Sequence, residues 1–558
     1  MKIRALLALA MAAVLGLSAA GCGNKESQPA PASSGGGVQT AGAGQGVFTL
    51  AYSSTDTLNP YTAVTRSNQE LTQLLFDPLI KLDRNFQPVY VLAESAEMEG
   101  ATCVIRLKDA AFSDGSAVTA EDVTYSIQKA RESTTRYKTQ VEAIQSASAT
   151  DSSTVRIIFQ KADPYGVNLL DFPIIKRGSD TRTDEDKRTL PPIGSGRYTY
   201  DIDAQVLNAN PSYIGGALNL SVITLVDAPD NEALEHALEV GSLSMYFTDL
   251  SDNVLPKMTG RSLDVPMNNL VYLGVNFKSG LLGQPELRQA VSAAVDRTAL
   301  VESAFFGHAL AASGPYPSVW TDAAAMGSLP VTRNTEQVVA NLEKLGYNEK
   351  DSEGYWVNAR GNRITLSLLC NEDNSVRLNA ANLIKEQLAE AGIQLEVRSV
   401  NWDAYTAAVA AGSFDLYLGE VKLLNNMDIT QIVTYGGSAA FGLQEPVSST
   451  VSAAGVSSVP KPTEGDGSSA AASDATTSDA AAGGAAQPPA PTTAQVVERY
   501  YAGEAMLSEV ASAFMSELPV IPLCHRCGQV TYSSKLAQGP SSTISDLFFG
   551  IEACSFAS

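Results

Sequence analysis

Catalytic hardware is scarce in this chain. Three histidines, His236, His308 and His525, lie far apart in 558 residues, and no H-E-x-x-H pair joins any of them. No G-x-S-x-G elbow is present, since Gly194-Ser195-Gly196 is too short and sits in a turn. A P-loop and a G-x-G-x-x-G after a strand are also missing. Triads assemble across sequence, so these absences exclude motif-bound enzymes without replacing them by a positive case for catalysis. The expectation is a non-enzyme with no catalytic residue, no metal and no cofactor. Basic residues are few as well, with 38 Lys and Arg against 60 Asp and Glu and a formal net charge of -22. Nucleic-acid affinity needs Lys and Arg clusters, and none is visible, so a nucleic-acid partner is excluded. The acidity itself serves solubility.

Cysteine is sparse, with six in all. Cys524-His525-Arg526-Cys527 reads as a redox pair, half of a metal site or a small local disulfide. Zinc would need two further ligands, of which Cys554 is the closest in sequence. Outside the cytosol a disulfide or buried thiols is favoured over metal. Cys103 and Cys370 read either as buried thiols or as partners.

What is present begins at the N-terminus. Lys2 and Arg4 precede an apolar run from Ala5 to Leu17, short for a spanning helix, and small residues lead to Cys22. The order resembles a bacterial lipobox, with Ala19 where leucine is usual, and makes residues 1–22 a lipoprotein signal peptide with Cys22 the lipidated residue. Residues 23–46, rich in Ser, Gly, Ala and Pro, form a flexible tether. At 558 residues the chain needs at least two compact units.

Strands are expected over Val47–Tyr52, Ile80–Leu82, Cys103–Leu107, Leu270–Phe277, Ile364–Leu369 and Ile393–Val400. The turn after Tyr52 should expose Ser53 and Ser54, and VYVLAESAEMEG reads as an acidic turn. Thr119 with Asp122 forms a capping-box-like start for a helix, and Asp114, Glu121 and Asp122 have turn and cap duties that account for them better than a metal does. Pro285 opens one helix, Asp296 caps a second over Arg297–Phe306, and Gly307 ends it. A helix over Leu378–Ala391 between two strands predicts a β-α-β unit. Residues 447–495 cannot bury enough apolar surface to order themselves and read as a disordered insertion. A helix over Val497–Glu517 follows.

Several segments then agree in order with one family. FSDGSAVTAEDVTYSIQKA at Phe112, LNPYT at Leu58, LLFDPLIKLD at Leu74, PPIGSGRYTY at Pro191, LRQAVSAAVDRTALVESAFFG at Leu287 and KEQLAEAGIQLEVRSVNWDAY at Lys385 resemble the family 5 extracytoplasmic solute-binding proteins of ABC transporters. These include oligopeptide, dipeptide and nickel binders. The resemblance implies an α/β, two-lobed periplasmic-binding-protein-like fold of class II type with mixed sheets. An extra subdomain, about 80–190, is expected in the first lobe. Lobe I would comprise 47–276 and 523–558, and lobe II 277–522. It also implies a peptide or small-molecule solute, ABC permease subunits as partners and an extracytoplasmic place at the bacterial cell membrane, held there by the lipid anchor. The competing classes are a secreted hydrolase and a sensory or adhesive surface lipoprotein.

A closed, dry cleft needs polar groups and aromatics at strand ends. That logic nominates Tyr52, Ser53 and Ser54 after the first strand, Asn276 where the chain would cross between lobes, and Trp402 with Tyr405 as a wall. Asp415 should order its own loop. In the oligopeptide binders an acidic residue in an Asp-Pro-type motif holds the peptide's amino terminus. The matching region here places Asp428 nearest, with Ile429 where proline is expected.

Overall fold

A computed structural model describes residues 46–251, 260–445 and 490–557. Cys22, the signal over 1–22, the tether up to residue 45 and the insertion up to residue 489 lie outside the described residues.

Three larger sheets organise the chain. In the first, Thr49–Tyr52 runs parallel to Val222–Asp227, which continues antiparallel through Val206–Ala209 to Tyr198–Asp201. The second is antiparallel, in the order Ala93–Glu99, Thr102–Leu107, Thr154–Phe159, Ile144–Ala149. Its first strand corrects the turn expected at VYVLAESAEMEG. Glu97 and Glu99 alternate onto the wet face of an edge strand, Glu94 falls at the register shift between Ala93 and Ser95, and local composition hid a ladder that its neighbour supplies.

The third sheet is the largest, ordered Met245–Thr248, Val520–Ser533, Gly260–Val275, Leu416–Lys422, Thr365–Asn371, Gln394–Val400, with Ala309–Ala311 added beside Val520–Ser533. Here the expected strand from Leu270 is the second half of one that starts at Gly260. GRSLDVP is too polar to announce a strand, yet it pairs with Cys527–Ser533. The ladder shifts register between Pro266 and Leu270. Beyond the shift, side chains alternate between two hydrophobic clusters. Leu270 and Tyr272 join a cluster containing Phe48 and Phe112, while Val271, Leu273 and Val275 join one containing Val291 and Ile384. Two cores in a mixed α/β chain give the two-lobed architecture expected.

Local chemistry sets the helices. Pro285 opens Pro285–Ala294. The Asp296 carboxylate accepts from Ala299 N at 2.8 Å and starts Arg297–Ala304. Thr119 and Asp122 form a full capping box at Ala120–Glu132. Ser375–Glu390 crosses between the parallel strands Thr365–Asn371 and Gln394–Val400, the predicted β-α-β unit. The single helix expected over Val497–Glu517 is two, Thr493–Tyr501 and Leu507–Glu517, parted by Gly503 at a left-handed φ of 76°. Residues 493–495, counted above with the insertion, are helical.

The chain end returns to the first core. Asp546 is buried and takes Arg197 Nη1 at 3.2 Å and Lys81 Nζ at 3.0 Å, with Phe548 N donating at 3.0 Å. Burial opposes its charge, but Arg197 and Lys81 hold the carboxyl far below the usual range. The neighbouring Asp77 carboxylate, 3.6 Å from Lys81 Nζ, is pushed up by the same burial.

Candidate functional site

The strand Leu416–Lys422 pairs with Thr365–Asn371 through Leu416 and Tyr417 alone. From Leu418 onward that edge has no strand neighbour among the described residues, and a cavity of about 700 Å³ runs along it. A smaller cavity of about 200 Å³ shares Arg377, Glu420 and Arg526 with it, and one of about 270 Å³ shares Lys422. The two smaller cavities adjoin the larger across these shared side chains, and the row of three is the groove.

One wall is aromatic. Trp402 stacks on Tyr405 with centroids 5.6 Å apart and planes 22° apart. Trp402 is 56% exposed, whereas Tyr405 is buried and donates its hydroxyl to Leu418 O at 2.9 Å. Tyr272 and Tyr417 meet edge to face at 5.8 Å, and both donate to the Ala439 carbonyl.

The opposite chemistry comes from charges inside two otherwise apolar strands. Glu420 Oε1 accepts from Asn269 Nδ2 at 2.7 Å. Its other oxygen is shared by Arg377 and, at 3.3 Å, by Arg526 Nη1. Arg526 also donates to the Asp249 carbonyl. Lys422, two residues on from Glu420, opens to the groove and forms no ion pair among the described residues. Desolvation, with Arg136 adding its repulsion, brings the Lys422 ammonium down to about 8. Farther along, Arg66 bridges Glu70 at 3.1 Å and Asp249 at 3.0 Å. Burial lifts the Glu70 carboxyl to about 7. Against desolvation, Ser251 and Arg66 hold Asp249 at about 2.

The nominated residues divide. Trp402 and Tyr405 line the groove. Tyr52 and Ser54 line a different cavity of about 510 Å³, beside Tyr200 and Arg188. Ser54 is exposed and holds Asp227 through its N–H and hydroxyl at 2.9 and 2.7 Å. Ser53 corrects the expectation of exposure. It is buried, because Asn68 accepts from its N–H at 2.8 Å and donates to its carbonyl at 3.0 Å.

Asn276 lies at the end of the long strand and lines none of these cavities. Its amide donates to the Gly412 and Phe414 carbonyls at 3.1 and 2.8 Å, and its oxygen accepts from Lys278 N at 3.0 Å. Asp415 orders the same region, accepting from Ser279 and from Ser367 N at 2.8 Å. Asp428 is occupied by Lys161 Nζ at 2.8 Å and by Thr430 N at 2.9 Å. Against desolvation, Lys161 holds its carboxyl low.

Cys524, Cys527, Cys103, Cys370 and Cys554 are buried free thiols, so the local disulfide weighed for Cys524 and Cys527 is not formed. His525 is fully buried with Nε2 3.2 Å from the Pro315 carbonyl, and desolvation pulls it down to about 4. Among the described residues no group of three His, Cys, Asp or Glu side chains is placed to hold a metal.

Arg377, Glu420, Lys422 and Arg526 were not nominated from sequence. For Glu420, Lys422 and Arg526 the signal was charge inside apolar strands, LYLGEVK and LCHRC, whereas Arg377, in the first turn of the helix Ser375–Glu390, carried none. Among the described residues no helix is long and apolar enough to cross a membrane.

Comparison with known proteins agrees with this architecture. The oligopeptide-binding protein AppA of Bacillus subtilis is 24% identical over 375 residues, covering 62% of this chain and 68% of its own. The glutathione-binding protein GsiB of Escherichia coli K12 is 23% identical over 374 residues, covering 64% and 70%. Among solved structures, the murein tripeptide binding protein MppA in its unliganded open form superposes with a TM-score of 0.67 at 16% identity, covering 91% of this chain and 97% of MppA. A nickel ABC transporter structure from Bacillus halodurans gives 0.67 at 17% identity, over 92% and 100%. The model for the bacterial extracellular solute-binding proteins, family 5, matches residues 87–440, and this chain belongs to that family of ABC-importer binding proteins.

Proposed function

We propose that this protein captures an oligopeptide or a similar small solute between its lobes and hands it to an ABC permease. The observation that carries the reading is the groove of about 700 Å³ along the edge of the strand Leu416–Lys422 from Leu418 onward, which has no strand neighbour among the described residues. A strand edge without a strand neighbour offers main-chain hydrogen bonds to an extended ligand, here apart from the Leu418 and Lys422 carbonyls, which accept from Tyr405 and Gln431, and pockets beside it accept side chains. Trp402 and Tyr405 supply apolar surface within the same groove. The relatives named for oligopeptide and glutathione binding, AppA and GsiB, favour a peptide-like solute.

Closure would follow differential affinity, the ligand favouring the state in which both lobes touch it. The expected division is lobe I at 47–276 and 523–558 and lobe II at 277–522. The register shift at Pro266–Leu270 in the long antiparallel pair is a suitable flexing point. Cys22 would carry the lipid, 23–46 the tether, and 447–489 a surface insertion. Mass spectrometry of the natively purified protein should find a stoichiometric solute, and scattering should show compaction when it is added back. Absence of any retained solute from a peptide pool, with no change in scattering, would overturn the reading. Replacing Cys22 by Ala should release the protein from the membrane fraction.

A further inference from the structure

We infer that the groove selects its solute by a negative charge, a carboxylate seated among Lys422, Arg377 and Arg526, rather than by a free amino terminus. This rests on the solute-binding reading above and names the chemistry of that site.

The charge balance is the first support. The groove's walls hold five cations, Arg66, Arg136, Arg377, Lys422 and Arg526, against three carboxylates, Glu70, Asp249 and Glu420. The whole chain, by contrast, carries -22. A positive groove inside an acidic protein focuses anions toward it.

The second support is how the carboxylates are spent. Glu420 serves two guanidiniums and the Asn269 amide, so one negative charge is divided between two positive ones. Asp249 and Glu70 are both committed to Arg66. No groove carboxylate is left over for a ligand ammonium. Lys422 and Arg136, in turn, have no ion-pair partner among the described residues, and Lys422 sits where two of the cavities meet. An arriving carboxylate would pair with Lys422 and offset the desolvation, and the lesser Arg136 repulsion, that depress its ammonium.

The third support is Asp428. An acidic residue ready for an amino terminus would have to be free, but Asp428 is neutralised by Lys161 at 2.8 Å and tied to Thr430, away from the groove. Recognition of the amino end has no resident here, whereas recognition of an anion has three.

A tryptic casein digest in three forms tests this: untreated, methyl-esterified at its carboxyls, and acetylated at its amines. Each pool is mixed with the full-length protein, separated by gel filtration, and the retained peptides are read by mass spectrometry. The untreated and acetylated pools should be retained and the esterified pool lost. Retention of the esterified pool at the untreated level, or loss of the acetylated one, overturns the inference while leaving solute binding intact. Failure to retain even the untreated pool removes the solute-binding reading together with it. Lys422→Gln should weaken retention roughly 10-fold or more, the weight of one charge-assisted contact, with Lys422→Arg restoring most of it and neither shifting the melting temperature. Unchanged retention by Lys422→Gln would also overturn it.

Discussion

Replacing Asp546 by Asn should be among the most damaging single changes in the first core. The carboxylate is fully buried and answers two buried cations, Arg197 and Lys81, at contacts of 3.2 and 3.0 Å. An amide of the same shape removes the charge and leaves both cations in low dielectric. Glu552 compensates Arg197 in part, at 2.7 Å, and Asp77 compensates Lys81 weakly, at 3.6 Å. Breaking a buried pair from one side costs about 3–5 kcal/mol. With an unfolding entropy of ~2.1 cal/mol/K per residue, a chain this long loses about 1 °C of melting temperature per kcal/mol, so calorimetry should record a fall of about 3–5 °C. The pH dependence has a definite sign. A carboxyl held low in the folded state stabilises fully above its unfolded value of about 3.9 and loses that contribution as pH falls below it. Asp546→Asn should therefore flatten the acid limb of the stability curve. Asp77→Asn is the control. Its carboxyl is pushed up by burial and poorly answered, so its loss should cost less than about 1 kcal/mol. Equal costs for the two variants, or a cost below about 1 kcal/mol for Asp546→Asn, would refute the reasoning.

Other expectations follow from the same geometry. Solute affinity should be full below pH 8 and fall as pH rises through about 8, where Lys422 loses its proton, and calorimetric titration across pH 7 to about 10 reads this. Arg136, Arg66 and Asp249 keep their charge over that range, while Glu70, lifted to about 7, completes its ionisation at the low end of it, so the fall in affinity centred on about pH 8 is the part that reads Lys422. Trp402→Ala should weaken solute binding about 10-fold with little change in melting temperature, since the ring is 56% exposed. Asn276→Ala should do the reverse, costing about 1–3 kcal/mol by stranding the Gly412 and Phe414 carbonyls while affinity holds. The thiols of Cys103, Cys370, Cys524 and Cys554 are buried, and burial pushes Cys103 up to about 12, so a thiol reagent should label these four only at the rate of unfolding.

Features built from neighbours in sequence were legible. Asp296 and Ala299, or Thr119 and Asp122, lie within one helical turn, and a capping rule reads them directly. The β-α-β unit at Thr365–Val400 declares itself by period. Ser53 was misjudged because Asn68, which buries it, is 15 residues away and gives no local sign. The strand at Ala93–Glu99 reads as a turn because three of its seven residues are acidic and its partner sits across a ladder. The groove suffered most from this limit. Glu420 and Arg526 are 106 residues apart, and Glu420 and Asn269 are 151 apart. Nothing in either stretch names the other, so the charges stood out as oddities without a destination. Asn276 is polar at a strand end, the pattern a ligand contact would have, and its amide is engaged by the Gly412 and Phe414 carbonyls, partners 136 and 138 residues away that its own stretch does not announce.

The burial of Asp546 bears on how this polypeptide matures. Arg197 waits for a counter-charge 349 residues downstream, and the Gly260–Val275 strand waits for Val520–Ser533. The lobe that emerges first therefore cannot finish until nearly the whole chain has been delivered, and while it waits its unmatched cations and bare strand edges keep it from locking. A chain wired in this way sets only when its last segment arrives.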